Sequence, residues 1–331
     1  MAYDGRIMRR ALDQFESDRQ IREDGFRRRR EEIFRRQPRL RRIQEQLNTT
    51  MGRIITSALR RGADARAAVE MLRSENLGLQ EERERLLREM GLTPDALEEK
   101  AACPLCGDTG YRGEAVCRCL RRYYAQAQKE ELSRMLDLAG QNFDTFSLDW
   151  YAQTADPAYG ISPRANMETI YEICANYAHT FGPRSGNLLL FGAPGLGKTF
   201  LSAAIAKEVS DGGFSVVYDT AGHVFDRFEM RKFGRMDDGD PAEDVERILR
   251  CDLLILDDLG TEANTPFVSS ALYEMLNTRL LTKRSTIINT NLQPEQLAKR
   301  YSAQIASRVE GEYRMLPFFG ADIRRLKKSR S

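Results

Sequence analysis

The sequence of 331 residues lacks several features that mark common classes of protein. No apolar run approaches the ~18 residues that a membrane-spanning helix needs, and the first residues contain no apolar signal segment. We therefore expect a cytoplasmic protein that has no membrane partner. The only two histidines, His179 and His223, have no triad partners in their sequence context, so we assign them no catalytic role. The net charge of +2 is too small to create a strong field over the whole molecule, so local clusters of charge matter more.

Residues 1–100 contain little proline or glycine and are rich in arginine and glutamate. This composition predicts a charged, coiled-coil-like helical region that docks onto a partner. We expect three helices, over residues 5–36, 38–62 and 64–90, with Pro38 starting the second. The basic run 27–42 has two interpretations. It binds nucleic acid or an acidic partner, or it is a solvated helix face whose charge is offset by Glu31 and Glu32.

Residues 192–199, GAPGLGKT, match the phosphate-cradling P-loop pattern G-x-x-x-x-G-K-[ST]. The apolar run 187–191 predicts a buried strand before the motif, and residues 200–210 predict a helix after it. The motif therefore lies where backbone amides and the dipole of a helix N-terminus face a bound phosphate. Lys198 is expected to reach the β- and γ-phosphates of ATP, and the Thr199 hydroxyl to hold Mg²⁺. The predicted nucleotide contacts are Gly192, Gly195, Leu196, Gly197, Lys198, Thr199, Phe200 and Asp257.

A second motif, LLILDD at 253–258, is an apolar strand that ends in two carboxylates. It has the Walker B pattern of P-loop ATPases. Asp257 is expected to bind in the Mg²⁺ shell, and Asp258 to act as the general base that polarises the attacking water. The pairing of this motif with the P-loop predicts an ATPase.

Further polar residues are candidates for contacts with the phosphates. The segment TIINTNL at 286–292 is a strand that ends in polar residues, and we expect Asn291 among them to contact the γ-phosphate and the attacking water. Asn289 lies on the same face of that strand and is the second candidate. Arg308 is the predicted arginine finger that completes the ATP site of a neighbouring subunit, and Arg300 competes for this role. Arg324 is a further candidate for a phosphate-facing arginine.

Four of the six cysteines lie between positions 103 and 119. They are Cys103, Cys106, Cys117 and Cys119. Two tight turns that each carry a pair of thiolates predict a tetrahedral site of four sulfur atoms, which suits a structural Zn²⁺ ion. A redox disulfide pair and an iron–sulfur cluster are the alternatives. Cys174 and Cys251 lie in apolar surroundings, and we expect them in the core.

The second half of the sequence alternates strands and helices. The predicted strands are 187–191, 215–219, 252–257 and 285–290, which indicates an α/β fold with a parallel sheet flanked by helices. The predicted organisation is a helical docking region at 1–100, a zinc module at 101–125, a linker at 126–144 and the ATPase domain at 145–331. Within that domain, residues 222–250 alternate basic and aromatic side chains. This pattern favours either contact with single-stranded DNA or an ordinary amphipathic helix with phenylalanines in the core.

Several segments of the sequence resemble the bacterial replicative helicase loaders of the DnaC/DnaI type, which are AAA+ P-loop ATPases. They are GAPGLGKT at 192–199, LLILDDLGTE at 253–262, TIINTNL at 286–292, NFDTFSL at 142–148, and IASRVEGEY with GADIR within 305–324. The resemblance covers about residues 100–331. Residues 1–100 match only in their charged, helical character.

The resemblance implies an ATP-dependent loader of the hexameric replicative helicase onto single-stranded DNA during replication initiation or restart. It implies that the N-terminal helical and zinc region binds the helicase, and that ATPase domains self-assemble through shared ATP sites completed by Arg308. Asp258 stands where most AAA+ ATPases have glutamate, as in the loader group, which implies slow, switch-like hydrolysis. The alternative is a transposition helper ATPase of the IstB type, which binds target DNA and a transposase. Such helpers share the ATPase motifs but usually lack a four-cysteine module.

Overall fold

The computed structural model describes residues 3–58, 63–234 and 241–330, without the side chains of 50–69, 71–73 and 330. These residues form two compact units. The sheet unit comprises the residues up to Asp13 together with those from Arg118 onwards, and the helical unit is Gln14–Cys117. No helix in the described ranges has both the length and the apolar character needed to cross a bilayer.

The helical unit is built from long charged helices and one short hairpin. Its elements are α1 (Gly5–Arg36, which begins in the sheet unit), α2 (Pro38–Ala58), α3 (Ala63–Glu89), β1 (Tyr111–Arg112) and β2 (Ala115–Val116). Pro38 opens α2, where a missing amide hydrogen costs no helical hydrogen bond. A small apolar cluster of Phe34, Leu40, Leu87 and Leu97 forms its core. The predicted limits of the first helix are confirmed, whereas the predicted end of the second at 61–62 lies outside the described residues.

The sheet unit is an α/β fold. Its strands are β3 (Asn187–Gly192), β4 (Val216–Thr220), β5 (Leu253–Leu259), β6 (Ser285–Thr290) and β7 (Tyr313–Phe318). Its helices are α4 (Arg118–Leu132), α5 (Pro163–His179), α6 (Lys198–Asp211), α7 (Ala221–Phe233), α8 (Pro241–Arg250), α9 (Pro266–Leu281), α10 (Pro294–Arg300), α11 (Ala303–Glu312) and α12 (Ile323–Arg330). All neighbouring strands are parallel, in the order β4-β5-β6-β3-β7. The predicted fold class is confirmed.

Two apolar cores cover the two faces of the sheet. Successive residues of a strand point to opposite faces, and β3 accordingly gives Leu188 and Leu190 to one core and Leu189 and Phe191 to the other. Every residue of β3 after the first is buried, as expected for a strand in the interior of a parallel sheet. This burial fixes the end of β3, and with it the start of the P-loop.

The first residues of the chain and α4 belong to the sheet unit through buried contacts. Ile7 and Ala11 are buried, and the Asp4 carboxylate forms an ion pair with Arg247 of α8. On α4, the Gln128 side chain donates to Ser210 Oγ at 2.8 Å and accepts from the Val216 amide at 2.9 Å, which caps the edge strand β4. The predicted linker at 126–144 therefore includes the second half of α4. The domain limits remain a prediction.

Candidate functional site

Three glycines give the P-loop its shape. Gly192 has a φ of +136°, and a Cβ there would lie 2.0 Å from the carbonyl oxygen of Phe318 on β7. Gly195 and Gly197 also have positive φ, a conformation that side chains disfavour. Gly197 precedes α6 without a capping side chain, so the first amides of α6 are available to an anion.

Lys198 holds the loop together from its centre. Its ammonium donates to the carbonyl oxygens of Gly192 at 2.6 Å and Ala193 at 2.8 Å, and to Asn291 Oδ1 at 2.8 Å. Burial lowers the pKa of Lys198 to about 8, although the nearby carboxylates of Asp258 and Asp257 act in the opposite direction. A bound phosphate would favour the charged form, which is the form that recognises it.

Asp257 connects four elements of the sheet unit. Its Oδ1 accepts from Asn289 Nδ2 at 2.8 Å and from the Asp258 amide at 3.0 Å. Its Oδ2 accepts from Thr199 Oγ1 at 3.2 Å and from the Tyr218 hydroxyl. Burial, and then the Asp257 charge, raise the pKa of Tyr218, so this hydroxyl stays a donor. The two residues predicted to hold Mg²⁺, Thr199 and Asp257, therefore lie together.

Asp258 occupies the strained end of β5. Its φ is +53°, beside an irregularity in the pairing with β6 between Leu256 and Leu259. This conformation turns the carboxylate out of the sheet and into the pocket wall. Partial burial and the neighbouring Asp257 raise its pKa, while Lys198 and Arg324 oppose the shift. A raised pKa makes the carboxylate a better proton acceptor, as the predicted role of general base requires.

Most of the predicted nucleotide contacts line one cavity of about 480 Å³. They are Gly195, Leu196, Gly197, Lys198, Thr199 and Phe200. Two of the predicted catalytic residues, Asp258 and Asn291, line the same cavity. Gly192 and Asp257 do not line the cavity themselves, but they hold residues that do. Asn289 is fully buried and bonded to Asp257 and Ser202, so the geometry favours Asn291 as the residue that meets a phosphate.

One wall of the cavity is aromatic, and the sequence did not predict it. Phe146, Trp150 and Tyr151 line it, and the Tyr151 hydroxyl donates to the Leu196 carbonyl at 2.9 Å. These residues precede the P-loop by a whole helix and strand, and their only sequence signal is that NFDTFSL leads into the domain. Helix α12 adds Arg324, the predicted phosphate-facing arginine, and Lys327, whose ammonium lies 5.6 Å from the Trp150 ring.

Comparisons with known proteins agree with this geometry. Residues 148–306 match the family model of the IstB-like ATP binding protein. These residues form an IstB-like ATP-binding domain. The predictions of an AAA+ P-loop fold and of an ATPase are thereby confirmed at the level of the family.

The relatives of this IstB-like domain include replicative helicase loaders. DnaC of Escherichia coli strain K12 is 24% identical over 133 residues, which are 40% of this chain and 54% of DnaC. DnaI of Bacillus subtilis strain 168 is 25% identical over 193 residues, which are 56% of each chain. A crystal structure of the DnaC helicase loader covers 55% of this chain and 99% of its own, with 21% identity and a TM-score of 0.44. The chain thus spans about half of the length of the two loaders in sequence.

The two candidate finger arginines lie outside the nucleotide cavity of their own domain. Arg308 of α11 is half-buried against α9, where it donates to the Tyr273 hydroxyl at 2.9 Å and to Asn277 Oδ1 at 3.2 Å. Arg300 of α10 instead pairs with the buried carboxylate of Glu262. The roles predicted for both remain predictions.

Different residues of the segment 222–250 fit its two interpretations. Phe225 and Phe228 are buried in the core, as in an ordinary amphipathic helix. Phe233, in contrast, is 61% exposed, and the Lys232 ammonium lies 5.2 Å from the Phe267 ring beside it. Residues 235–240 of this segment lie outside the described residues.

The four clustered cysteines fit a zinc ion. Their sulfur atoms all lie within 4.8 Å of one another, and the Cys103 and Cys117 sulfurs are 3.8 Å apart. A tetrahedron with Zn–S bonds of ~2.3 Å has edges of about 3.8 Å, whereas a disulfide has an S–S distance of ~2.05 Å. The hairpin of β1 and β2 returns Cys117 to Cys103, and Cys119 follows two residues later. Zinc itself remains a prediction.

Replacing Gly192 by alanine is expected to disrupt the P-loop. The new Cβ meets the backbone of Phe318, which cannot rotate away, and the positive φ adds strain. We expect a loss of at least about 2 kcal/mol in the free energy of unfolding and no detectable binding of a fluorescent ATP analogue. The matched control is Gly222→Ala in α7, where a Cβ has open space and alanine favours the helix by up to ~1 kcal/mol. Wild-type binding by the Gly192→Ala protein would contradict this account.

The cysteine cluster is expected to hold one zinc ion per chain. Cys103→Ser should abolish zinc retention, because three thiolates and a hydroxyl bind Zn²⁺ more weakly than four thiolates. Cys174→Ala, a buried cysteine outside the cluster, is the control and should keep the metal. Atomic emission of the purified proteins measures the metal. Stoichiometric iron in the wild type, or no metal with two oxidised cysteine pairs, would rule out the zinc assignment.

Proposed function

We propose that the chain is an ATP-dependent loader of the hexameric replicative DNA helicase onto single-stranded DNA, acting in replication initiation or restart. The observation that carries this proposal is an IstB-like ATPase domain, with helicase loaders among its relatives, joined to a separate charged helical unit. The helical unit and the cysteine cluster are the proposed docking region for the helicase. They supply a surface that the ATPase domain itself does not need.

The pocket has the parts that ATP hydrolysis requires. The amides after Gly195 and the Lys198 ammonium would hold the β- and γ-phosphates, and the aromatic wall would hold the base. Magnesium, bound beside Thr199 and Asp257, would neutralise charge on the phosphates. Asp258 would accept the proton of the water that attacks the γ-phosphate, and ADP would leave.

Lys198 would couple nucleotide binding to a change in the contacts of Asn291. Its ammonium bonds to Asn291, which directly follows β6. A charged phosphate oxygen is a stronger acceptor than an amide oxygen, so binding of ATP would draw Lys198 away and release Asn291. In the sequence, β6 is followed by α10 and α11, which carry the candidate finger arginines Arg300 and Arg308. The exchange would therefore be transmitted to these two helices.

Arg308 is the better candidate for the arginine finger of a neighbouring subunit. Its present partners, Tyr273 and Asn277, are neutral, so it can move to a phosphate without breaking an ion pair. Arg300 would have to leave the Glu262 carboxylate, which also accepts from the Tyr301 hydroxyl and the Gly260 amide. A buried carboxylate that loses its charged partner is costly.

The exposed end of α7 is the proposed contact for single-stranded DNA. Phe233 and Phe267 offer ring faces for stacking, and Lys232 lies between them to neutralise a phosphate.

An IstB-type transposition helper, which binds target DNA and a transposase, is the alternative function. The family model that matches the domain favours it, since that model is named for IstB-like proteins. The two functions differ in the macromolecule that the chain should retain: a hexameric helicase for the loader, and duplex DNA for the helper.

The first prediction concerns the helicase. The full chain with ATP should co-elute with the hexameric replicative helicase of its organism, whereas a chain that starts at Arg118 should not. The shorter chain keeps α4, because Gln128 caps β4. It loses residues 1–13 of the sheet unit, so it must bind ATP to count as folded. Lys198→Ala should change the dependence of co-elution on ATP. Duplex DNA binding with ATP, without any helicase complex, would replace the loader by the transposition helper.

The second prediction concerns a shared ATP site. Arg308→Ala and Asp258→Ala chains should each lose most ATP turnover, because one lacks the finger and the other the base. Mixing them should restore part of the activity, since some interfaces then combine an intact Arg308 with an intact Asp258. Arg300→Ala mixed with Asp258→Ala is the control for the competing arginine. No recovery at any mixing ratio would argue against a finger at Arg308.

A further inference from the structure

A second cavity of the sheet unit, of about 370 Å³, is lined by basic side chains of α4. Arg118, Arg121, Arg122 and Lys129 recur at helical spacing and so share one face. The wall opposite them is the turn after α6, which ends in Gly212 and Gly213. We call this feature the α4 cavity. It lies apart from the nucleotide pocket, with which it shares no lining residue.

Carboxylates compensate little of the charge of the α4 cavity. Lys129 pairs with Asp211 at 2.8 Å, which uses the one carboxylate in the lining. Among the described residues, no carboxylate lies within ion-pair distance of Arg118, Arg121 or Arg122. The Nε of Arg121 is buried and has no hydrogen-bond partner. Three guanidinium groups thus line one cavity, and their N–H donors are not taken up by carboxylates of the described residues.

The position of these arginines on α4 is an independent indication that the cavity favours an anion. All three lie in its first turns, and no acidic residue is present in the first turn. The N-terminus of a helix is the positive end of its dipole, where cations are unfavourable and anions are stabilised. An anion in the α4 cavity would be stabilised by the guanidinium groups and by the helix, and it would relieve the repulsion among the arginines.

The chemistry of the lining favours a phosphodiester over a protein partner. Apart from Ala125 and the glycines, the lining is polar or charged, and no aromatic side chain contributes to it. A protein interface usually has an apolar core, and contact with the bases of a single strand usually uses aromatic side chains. Arginine forks match phosphate oxygens, and a nucleic-acid backbone can be held by charge alone.

We propose that the α4 cavity binds the phosphate backbone of a nucleic-acid strand without reading its bases. The identification of that strand as single-stranded DNA rests on the proposed function. The cavity would be a second contact for the strand, in addition to the exposed end of α7.

The test compares two triple variants of the full chain that lose the same charge. One is Arg118→Gln with Arg121→Gln and Arg122→Gln. The control is Arg184→Gln with Arg250→Gln and Arg314→Gln, all of which are exposed residues of the sheet unit. Binding of a fluorescein-labelled oligothymidylate is measured by anisotropy at several salt concentrations. Each phosphate contact contributes ~0.7 to the salt slope for a single strand, so the α4 variant should lose about 2 from the slope and bind at least tenfold more weakly.

Other outcomes would overturn the proposal. Equal slopes for wild type and the α4 variant, or an equal loss in the control, would show that the cavity makes no specific phosphate contact. Loss of zinc by the α4 variant would assign the arginines to the cysteine cluster, and loss of helicase co-elution with unchanged DNA binding would make the cavity a protein surface. Weakened DNA binding in a chain whose wild type never binds the helicase would support the cavity while the loader function fails.

Discussion

The hydrogen bonds around the Asp257 carboxylate are the interaction on which the nucleotide pocket depends. A buried carboxylate is costly unless its oxygens are satisfied, and here the donors come from the start of α6, from β4, from β5 itself and from β6. One charge therefore fixes the carboxyl ends of three neighbouring strands and the first turn of the P-loop helix. Lys198 and Asp258 then face one cavity because the elements that carry them are held to the same point.

The parts of this arrangement that the sequence predicts are those encoded by short segments. GAPGLGKT and LLILDD each specify a local geometry, and parallel strands bring their carboxyl ends to one edge of the sheet, so the meeting of Thr199 and Asp257 follows. The aromatic wall does not follow, because nothing local to Phe146 or Trp150 says which surface they will cover. Strand β7 was also missed, because Pro317 weakens its strand signal. Proline is tolerated there because β7 is an edge strand.

The same limit applies to the helices before the domain. Their charged composition predicts helices correctly, but it does not say which of them joins the sheet. Gln128 looks like one more polar residue of a charged helix, yet its side chain is buried and caps the free edge of β4. Ile7 and Ala11 form an apolar face too short to stand out among arginines, and they are buried on the sheet unit. The boundary of the folded ATPase unit is thus set by a few buried contacts rather than by a change in composition.

The proposed exchange at Lys198 would let the nucleotide change the contacts of a site that the Asp257 hydrogen bonds otherwise hold in place. Asp257 is held by donors on all sides and has little freedom, whereas Lys198 is held by three neutral oxygens that a phosphate can outcompete. Burial lowers the pKa of Lys198 and so opposes its charged form, which a bound anion would favour. Of the residues that Lys198 would release, Asn291 alone directly follows β6 and lies in the segment that leads into α10 and α11. The proposed exchange would therefore link nucleotide binding to Arg308 through Asn291 and the helices that follow β6.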